Sequence, residues 1–438
     1  MADVEKQSPS SNGLPCIESS SQCSSQSSCL QSIGPAPTVV STKMKAWLTV
    51  VGSFLALFCS FGQMIAFGTY QDWYSSHQLS HLSGFQISWI GSLQLWVFFF
   101  MGGPIGWLFD MYGPSPLLVA GTAISLLSLV LTSFATHYYH YLLAQGILFG
   151  LSVAILFYPA VSSVATHFNE YRATAIGITT AGSGLGGVMY PVLLRYLFRA
   201  IGFGWAVRIS ALLSLVFGIT AILAISTVPS QSEHQKKPSS LVDVRLTDKP
   251  YLLLVAGSFF VCLGIFIPYF YISGYTQSLH ISPDTAFYVL SIMNAGGIVG
   301  RILPAWLSDK IGRFNLLCPS AFFSGLLCLV FWAFADNLAA VATFAGFYGL
   351  LSGAFVSVIT PCIAQISDRP EMGMRIGALY TFVSLPALTG NPIAGALLQA
   401  HKGSFMITII FSGSSMIIGS IFLLASRLSI NRRIFDRV

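Results

Sequence analysis

The sequence predicts an all-α integral membrane protein of twelve transmembrane helices, arranged as two pseudo-symmetric six-helix halves. Three observations carry that reading. The first is poverty of charge: the 438 residues include only 21 Lys+Arg and 15 Asp+Glu, or 8% charged, where a soluble domain carries about 25%. The second is twelve apolar runs, each long enough to cross a hydrocarbon layer of roughly 30 Å at about 20 residues per helix. The third is a set of landmarks that recur about 200 positions apart. With 54% apolar residues and a mean hydropathy of +0.73, the chain lacks the polar surface that a soluble protein of this size needs. Composition therefore excludes a soluble enzyme, a nucleic-acid binder and a secreted disulfide scaffold. The lipid bilayer is its solvent.

Taken in order, residues 1–43 form a Ser-rich tail (SSSQCSSQSSC) without apolar periodicity, expected to be disordered and cytosolic. It does not read as a signal peptide, because no apolar core appears until about residue 46. The N-terminal half, 44–228, holds spans near 46–69, 86–108, 115–135, 140–164, 173–196 and 205–228. A cytosolic linker follows at 229–250 (PSQSEHQKKPSSLVDVRLTDKP), polar and bracketed by prolines. The C-terminal half, 251–426, holds spans near 251–275, 286–307, 314–335, 338–365, 373–398 and 404–426, and a basic cytosolic tail occupies 427–438.

Lysine and arginine set the orientation, because positive charge collects in cytoplasmic loops. With the N-terminal tail inside, sixteen of the 21 basic residues fall in inner segments, two (Arg199, Lys402) in outer loops and three (Arg195, Arg208, Arg301) within spans. Both termini are therefore expected in the cytosol. This distribution also accounts for the net charge of +6 without a polyanionic partner. The eight cysteines form no CxxC or metal-spaced pair, so neither a disulfide framework nor a metal site is expected. No P-loop sequence occurs, so pumping would have to be gradient-driven.

The repeat is specific. Asp110 in GWLFDMYGP and Asp309 in AWLSDKIGR are 199 apart; Gly177 and Gly377 are 200 apart; Pro191 and Pro392 are 201 apart. Such an offset indicates internal duplication, a common construction of transporters. Gly182, Gly184 and Gly187 spell G-x-G-x-x-G, but the fingerprint requires a preceding strand. Here an apolar helix precedes it, and glycines that admit a close neighbouring helix are the better reading.

The two Asp-containing loops have the G-x3-D-x2-G character of the cytoplasmic loop motif of the major facilitator superfamily. An aspartate there can accept hydrogen bonds from a neighbouring helix N-terminus and latch one conformation. Asp110, Asp309, Arg313 and Arg172 are the expected latch residues. The first copy has Met111, Pro114 and Pro116 where basic residues usually follow, whereas the second retains Lys310 and Arg313; the first latch should be the weaker. Three longer stretches narrow the resemblance to the monocarboxylate porter branch, particularly its fungal members. They are KAWLTVVGSFLALFCSFGQMIAFGTYQDWY, HFNEYRATAIGITTAGSGLGGVMYP, and FFVCLGIFIPYFYISGYTQSLHIS with NAGGIVGRILPAWLSDKIGRFN.

Arg301 is the most informative residue. It lies about fifteen residues, or ~22 Å, into a helix entering from outside, and a charge at such depth normally faces a cavity. The resemblance implies that it engages a substrate carboxylate, for which a guanidinium fork is suited; snorkelling or bracing of the adjacent loop is the alternative. Asn294, Tyr158, Tyr269, Tyr271 and Gln63 are the other candidate substrate contacts, each also readable as an interhelical hydrogen-bond partner. The acids and histidines lie at span ends or in loops. Where many family members have an aspartate four residues before this arginine, the present chain has Gly297, and Ile65 stands in place of a first-span lysine. A family-style proton relay thus lacks a carrier.

The sequence therefore predicts a secondary transporter, not an enzyme, working without cofactors on an amphipathic organic anion. Efflux of a secondary metabolite is the favoured direction, and uptake of a monocarboxylate or vitamin such as riboflavin the alternative. A non-transporting nutrient sensor and an integral-membrane enzyme are the rivals; a long signalling tail and a His or acid cluster at a membrane face, respectively, are missing from the sequence. The plasma membrane is the expected location, with a vacuolar or other internal membrane as alternative; protein partners are not legible.

Overall fold

The computed structural model describes residues 39–82, 84–168, 170–226, 248–367 and 371–431. The tail up to residue 38, the linker from 227 to 247 and the end of the chain from 432 lie outside the described residues, so the expectations for them stay as sequence readings.

Among the described residues eleven helices are long and apolar enough to span, and one bent pair counted as a single broken span makes twelve. They are α1 Met44–Ser76, α2 Gln86–Phe100 with Gly102–Tyr112, α3 Pro114–Phe134, α4 Tyr138–His167, α5 Arg172–Ile201 and α6 Phe203–Ile225 in the first half. The second half has α7 Lys249–Ser278, α8 Tyr288–Ile311, α9 Arg313–Phe334, α10 Leu338–Gln365, α11 Met372–Ala400 and α12 Met406–Ile430. Helix outruns hydropathy at several ends. The backbone of α1 is already helical from Val39, inside the stretch assigned to the tail. Lys249 begins α7 within the expected linker, and α12 continues to Ile430. Apolar runs mark the hydrocarbon crossing, whereas backbone hydrogen bonding continues into the interface.

Single glycines at positive φ separate α2 from α3 and α8 from α9: Gly113 at 75° and Gly312 at 107°. These are the closing glycines of the two G-x3-D-x2-G loops, and each reverses the chain in a conformation that L side chains rarely adopt. Interior breaks have local causes. Pro104 and Pro268 have no N–H to give the carbonyl four residues earlier, and α2 bends by 42° between Phe100 and Gly102. In α1, Ser60 lies at a helix irregularity and adds a hydroxyl bond to the Ala56 carbonyl at 2.5 Å, alongside its backbone N–H.

Within the first half, α1 packs against α5 and α6, and α3 against α4 and α6; within the second, α8 packs on α10, and α12 on α7 and α9. Between the halves, α5 meets α8 and α10, while α2 and α4 meet α11. The α5–α8 and α2–α11 crossings are the pseudo-symmetric pair that forms the seam.

Candidate functional site at the seam between the halves

The seam is closed first at the end of the bundle that carries the two aspartates. Helices α5 and α11 begin there, each with backbone N–H groups that have no intrahelical acceptor. Asp110, at the end of α2, accepts from the N–H groups of Gly373 (3.1 Å) and Met374 (2.7 Å). Asp309, at the end of α8, accepts from Ala173 (3.1 Å) and Thr174 (2.7 Å). The carboxylates thus neutralise the partial positive charge at helix starts in the opposite half. Asp309 also takes the Thr174 hydroxyl at 2.8 Å and faces the Arg313 guanidinium at 3.4 Å. Arg172 adds a third link, donating to the Phe168 carbonyl beside it and to the Ala364 carbonyl of α10 at 3.0 Å.

One turn deeper, glycine lets backbone meet backbone. A Cβ added to Gly177 of α5 would collide with the Arg301 carbonyl of α8, and one added to Gly377 of α11 with the Gly102 carbonyl of α2. These duplicated positions therefore have a packing cause: the halves touch without side chains between them. The glycine-rich fingerprint region splits likewise between two neighbours. Gly182 and Gly186 press on the Phe54 and Phe58 carbonyls of α1, and Gly184 presses on the Arg301 guanidinium.

Arg301 itself is 7% exposed and spans the seam. Its Nη1 donates to the Thr180 carbonyl at 3.3 Å and to the Ser183 hydroxyl at 3.2 Å, both on α5. Its Nε is buried with no hydrogen-bond acceptor, and among the described residues Arg301 has no ion-pair partner. A buried guanidinium left short of acceptors has its desolvation only partly offset. Tyr269 of α7 stands one turn away. Its hydroxyl shares a 3.0 Å hydrogen bond with Ser352 of α10 and would lie 3.7 Å from a Cβ added at Gly297.

The remaining expected contacts divide. Asn294 is 6% exposed and seven residues before Arg301, on the same face of α8; its Nδ2 donates to its own helix at Leu290. Tyr271 donates to the Asn391 carbonyl of α11 at 3.0 Å. Gln63 turns into the first half, donating to the Tyr70 hydroxyl at 3.1 Å and accepting from Ser214 at 3.2 Å. Both of these Gln63 bonds lie within the first half. Tyr158 is fully buried, donates to the Phe98 carbonyl at 3.2 Å and stacks on the Phe98 ring.

Tyr158 also belongs to an aromatic band that crosses the seam. Its ring lies 5.5 Å from Tyr380 of α11, whose ring is 5.9 Å from Phe99 of α2; Phe99 in turn reaches Phe266 of α7 at 6.1 Å. Sequence reasoning passed over Thr180, Thr174 and Thr381 and read Ser183 only as a small helix-packing residue; all four bond across the seam. Nothing local distinguishes them from the many other serines and threonines of the spans.

Residues 49–336 and 254–433 match the family model of the Major Facilitator Superfamily. The chain belongs to that superfamily. Among superfamily members it is 36% identical to the agnestins efflux protein AgnL12 of Paecilomyces divaricatus over 98% of this chain and 96% of the relative. It is 37% identical to the aspyridones efflux protein apdF of Emericella nidulans over 86% of this chain and 76% of the relative. The superfamily fold is also seen in the proton:xylose symporter XylE, which aligns with a TM-score of 0.71 at 13% identity over 88% of this chain and 95% of that one. The human organic anion transporter MFSD10 aligns with a TM-score of 0.67 at 14% identity over 87% and 99%. The protein is a multi-pass membrane transporter, not an enzyme.

Proposed function

We propose that this transporter exports an amphipathic organic acid, a secondary metabolite, by alternating access between its two halves, with Arg301 receiving the anionic group. The observation that carries the reading is the buried guanidinium at the seam, unpaired by any described carboxylate and with Nε lacking an acceptor. A carboxylate or enolate is the ligand that such a group lacks. The aromatic band of Phe99, Tyr158, Tyr380 and Phe266 supports an amphipathic solute over a small hydrophilic anion. The agnestins and aspyridones efflux proteins among its relatives support efflux.

Asn294, Tyr269 and Tyr271 are the accompanying contacts in this proposal. Asp110, Asp309, Arg172 and Arg313 form the latch that closes the aspartate end. The three stretches that resemble monocarboxylate porters support membership of that branch; the concentration of basic residues in inner segments supports cytosolic termini, and the plasma membrane is the proposed site. Paired intracellular and extracellular metabolite profiling of a deletion strain tests the proposal. An acidic aromatic metabolite that accumulates inside and disappears outside is the expected result. Unchanged partition of every acidic metabolite would overturn it.

A further inference from the structure

Pro104 leaves the Phe100 carbonyl of α2 without the N–H that a helix would supply four residues later. That carbonyl lies near the middle of the span, where no bulk water replaces a lost partner. Thr381 of α11, in the opposite half, donates its hydroxyl to it at 3.0 Å, with the Gly377 carbonyl of its own helix as the competing acceptor at 3.2 Å, and the same oxygen accepts the Gly103 N–H at 2.8 Å. One side chain of the second half therefore completes the broken backbone of the first.

The comparable break in α7 is treated differently. Pro268 frees the Gly264 carbonyl, and Ser412 of α12 satisfies it at 3.0 Å from within the same half. That bond is indifferent to how the halves are arranged. The α2 bond is not. Thr381 lies one turn from Gly377 on the same helix face, and Gly377 touches Gly102 backbone to backbone. Parting α2 from α11 at the aspartate end, by even a few ångströms at that turn, stretches both Thr381 bonds beyond hydrogen-bonding range.

We propose that Thr381 is a positioning residue of the transport cycle: it selectively stabilises the state closed at the aspartate end by serving α2 backbone groups that lose their partner on opening. Pro104 creates the need and Thr381 meets it. Either alone is an ordinary membrane residue.

The test is hydrogen–deuterium exchange of the purified full-length protein in lipid nanodiscs, with Thr381→Val, Thr381→Ser, Pro104→Ala and the Val/Ala double variant. Thr381→Val raises exchange about five- to ten-fold in 102–112 and 372–381, as expected for the loss of hydrogen bonds of ordinary net strength. It also raises exchange in 172–183, because the pseudo-symmetric α5–α8 crossing opens with it. Thr381→Ser stays within about two-fold of the native protein, since it keeps the hydroxyl. Pro104→Ala supplies the missing N–H and releases closure to a similar degree. The double variant then rises no further than the larger single one, because both changes remove the same bias.

Two results overturn the proposal. One is a rise confined to α2 and α11, which is local loosening. The other is multiplication of the two single effects, which means independent sites. Pro104→Ala keeps the test decisive if Thr381→Val does not fold, because it substitutes a good helix former and alone must open both crossings.

Discussion

Arg301 sets the energetics at the scale of single residues. Its guanidinium holds two α5 acceptors and leaves Nε bare, so the desolvation of one charge is only partly offset. Arg301→Lys keeps the charge but loses the planar fork. Flux of acidic substrates should fall at least about ten-fold while that of neutral analogues changes by less than about three-fold, measured in membrane vesicles with both classes. Equal losses for both would make Arg301 a structural brace. Tyr158 and Gln63 make the contrasting case, since their polar atoms are already bonded to Phe98, Tyr70 and Ser214. Tyr158→Phe should lower thermal stability by about 1 kcal/mol and leave the ratio of acidic to neutral flux unchanged.

At the scale of helices, the two latches have the same plan and different reinforcement. Both aspartates accept two amides at the start of a helix in the other half. Among the described residues, only Asp309 adds a hydroxyl and an arginine. The difference agrees with the sequence, where Lys310 and Arg313 follow the second aspartate and neutral residues the first. Asp309→Asn should therefore open the aspartate end more than Asp110→Asn, by a factor of roughly three to ten. Protease or maleimide access at the first turns of α5 and α11 measures it, and the reverse order would sink the comparison. The broken helices obey a related rule: prolines free backbone carbonyls, and hydroxyls from other helices take them up.

For the whole molecule, coupling depends on which charges are placed at depth. Gly297 stands one turn before Arg301, and a Cβ there meets only ordinary contacts at 3.7 Å. Without a carboxylate at that position, export of an anion should persist when an uncoupler collapses the proton gradient; its abolition at constant substrate charge would refute this. Gly297→Asp supplies the missing group. Ionised, the new carboxylate competes with substrate for Arg301; protonated, it releases the arginine. Acidic-substrate flux in that variant should rise as pH falls, whereas the native protein should show no such rise over a range in which the substrate's charge is constant. Paired pH profiles in proteoliposomes distinguish the two.

Much of this protein was legible as text. Charge poverty and twelve apolar runs determine the membrane solvent and the span count, because hydrocarbon thickness is a fixed ruler. The offsets of Asp110, Gly177 and Pro191 from their counterparts determine the duplication. What lay beyond reach was which residue faces which across the seam. Every α-helix presents several faces, and the local sequence does not say whether a serine bonds its own turn, a neighbour or the opposite half. Only the tertiary structure paired Gln63 with Tyr70 and Ser214 and put Ser183 beside Arg301. Only the tertiary structure brought Thr381 to the carbonyl that Pro104 left bare, because partners 281 positions apart are chosen by the packing of whole halves.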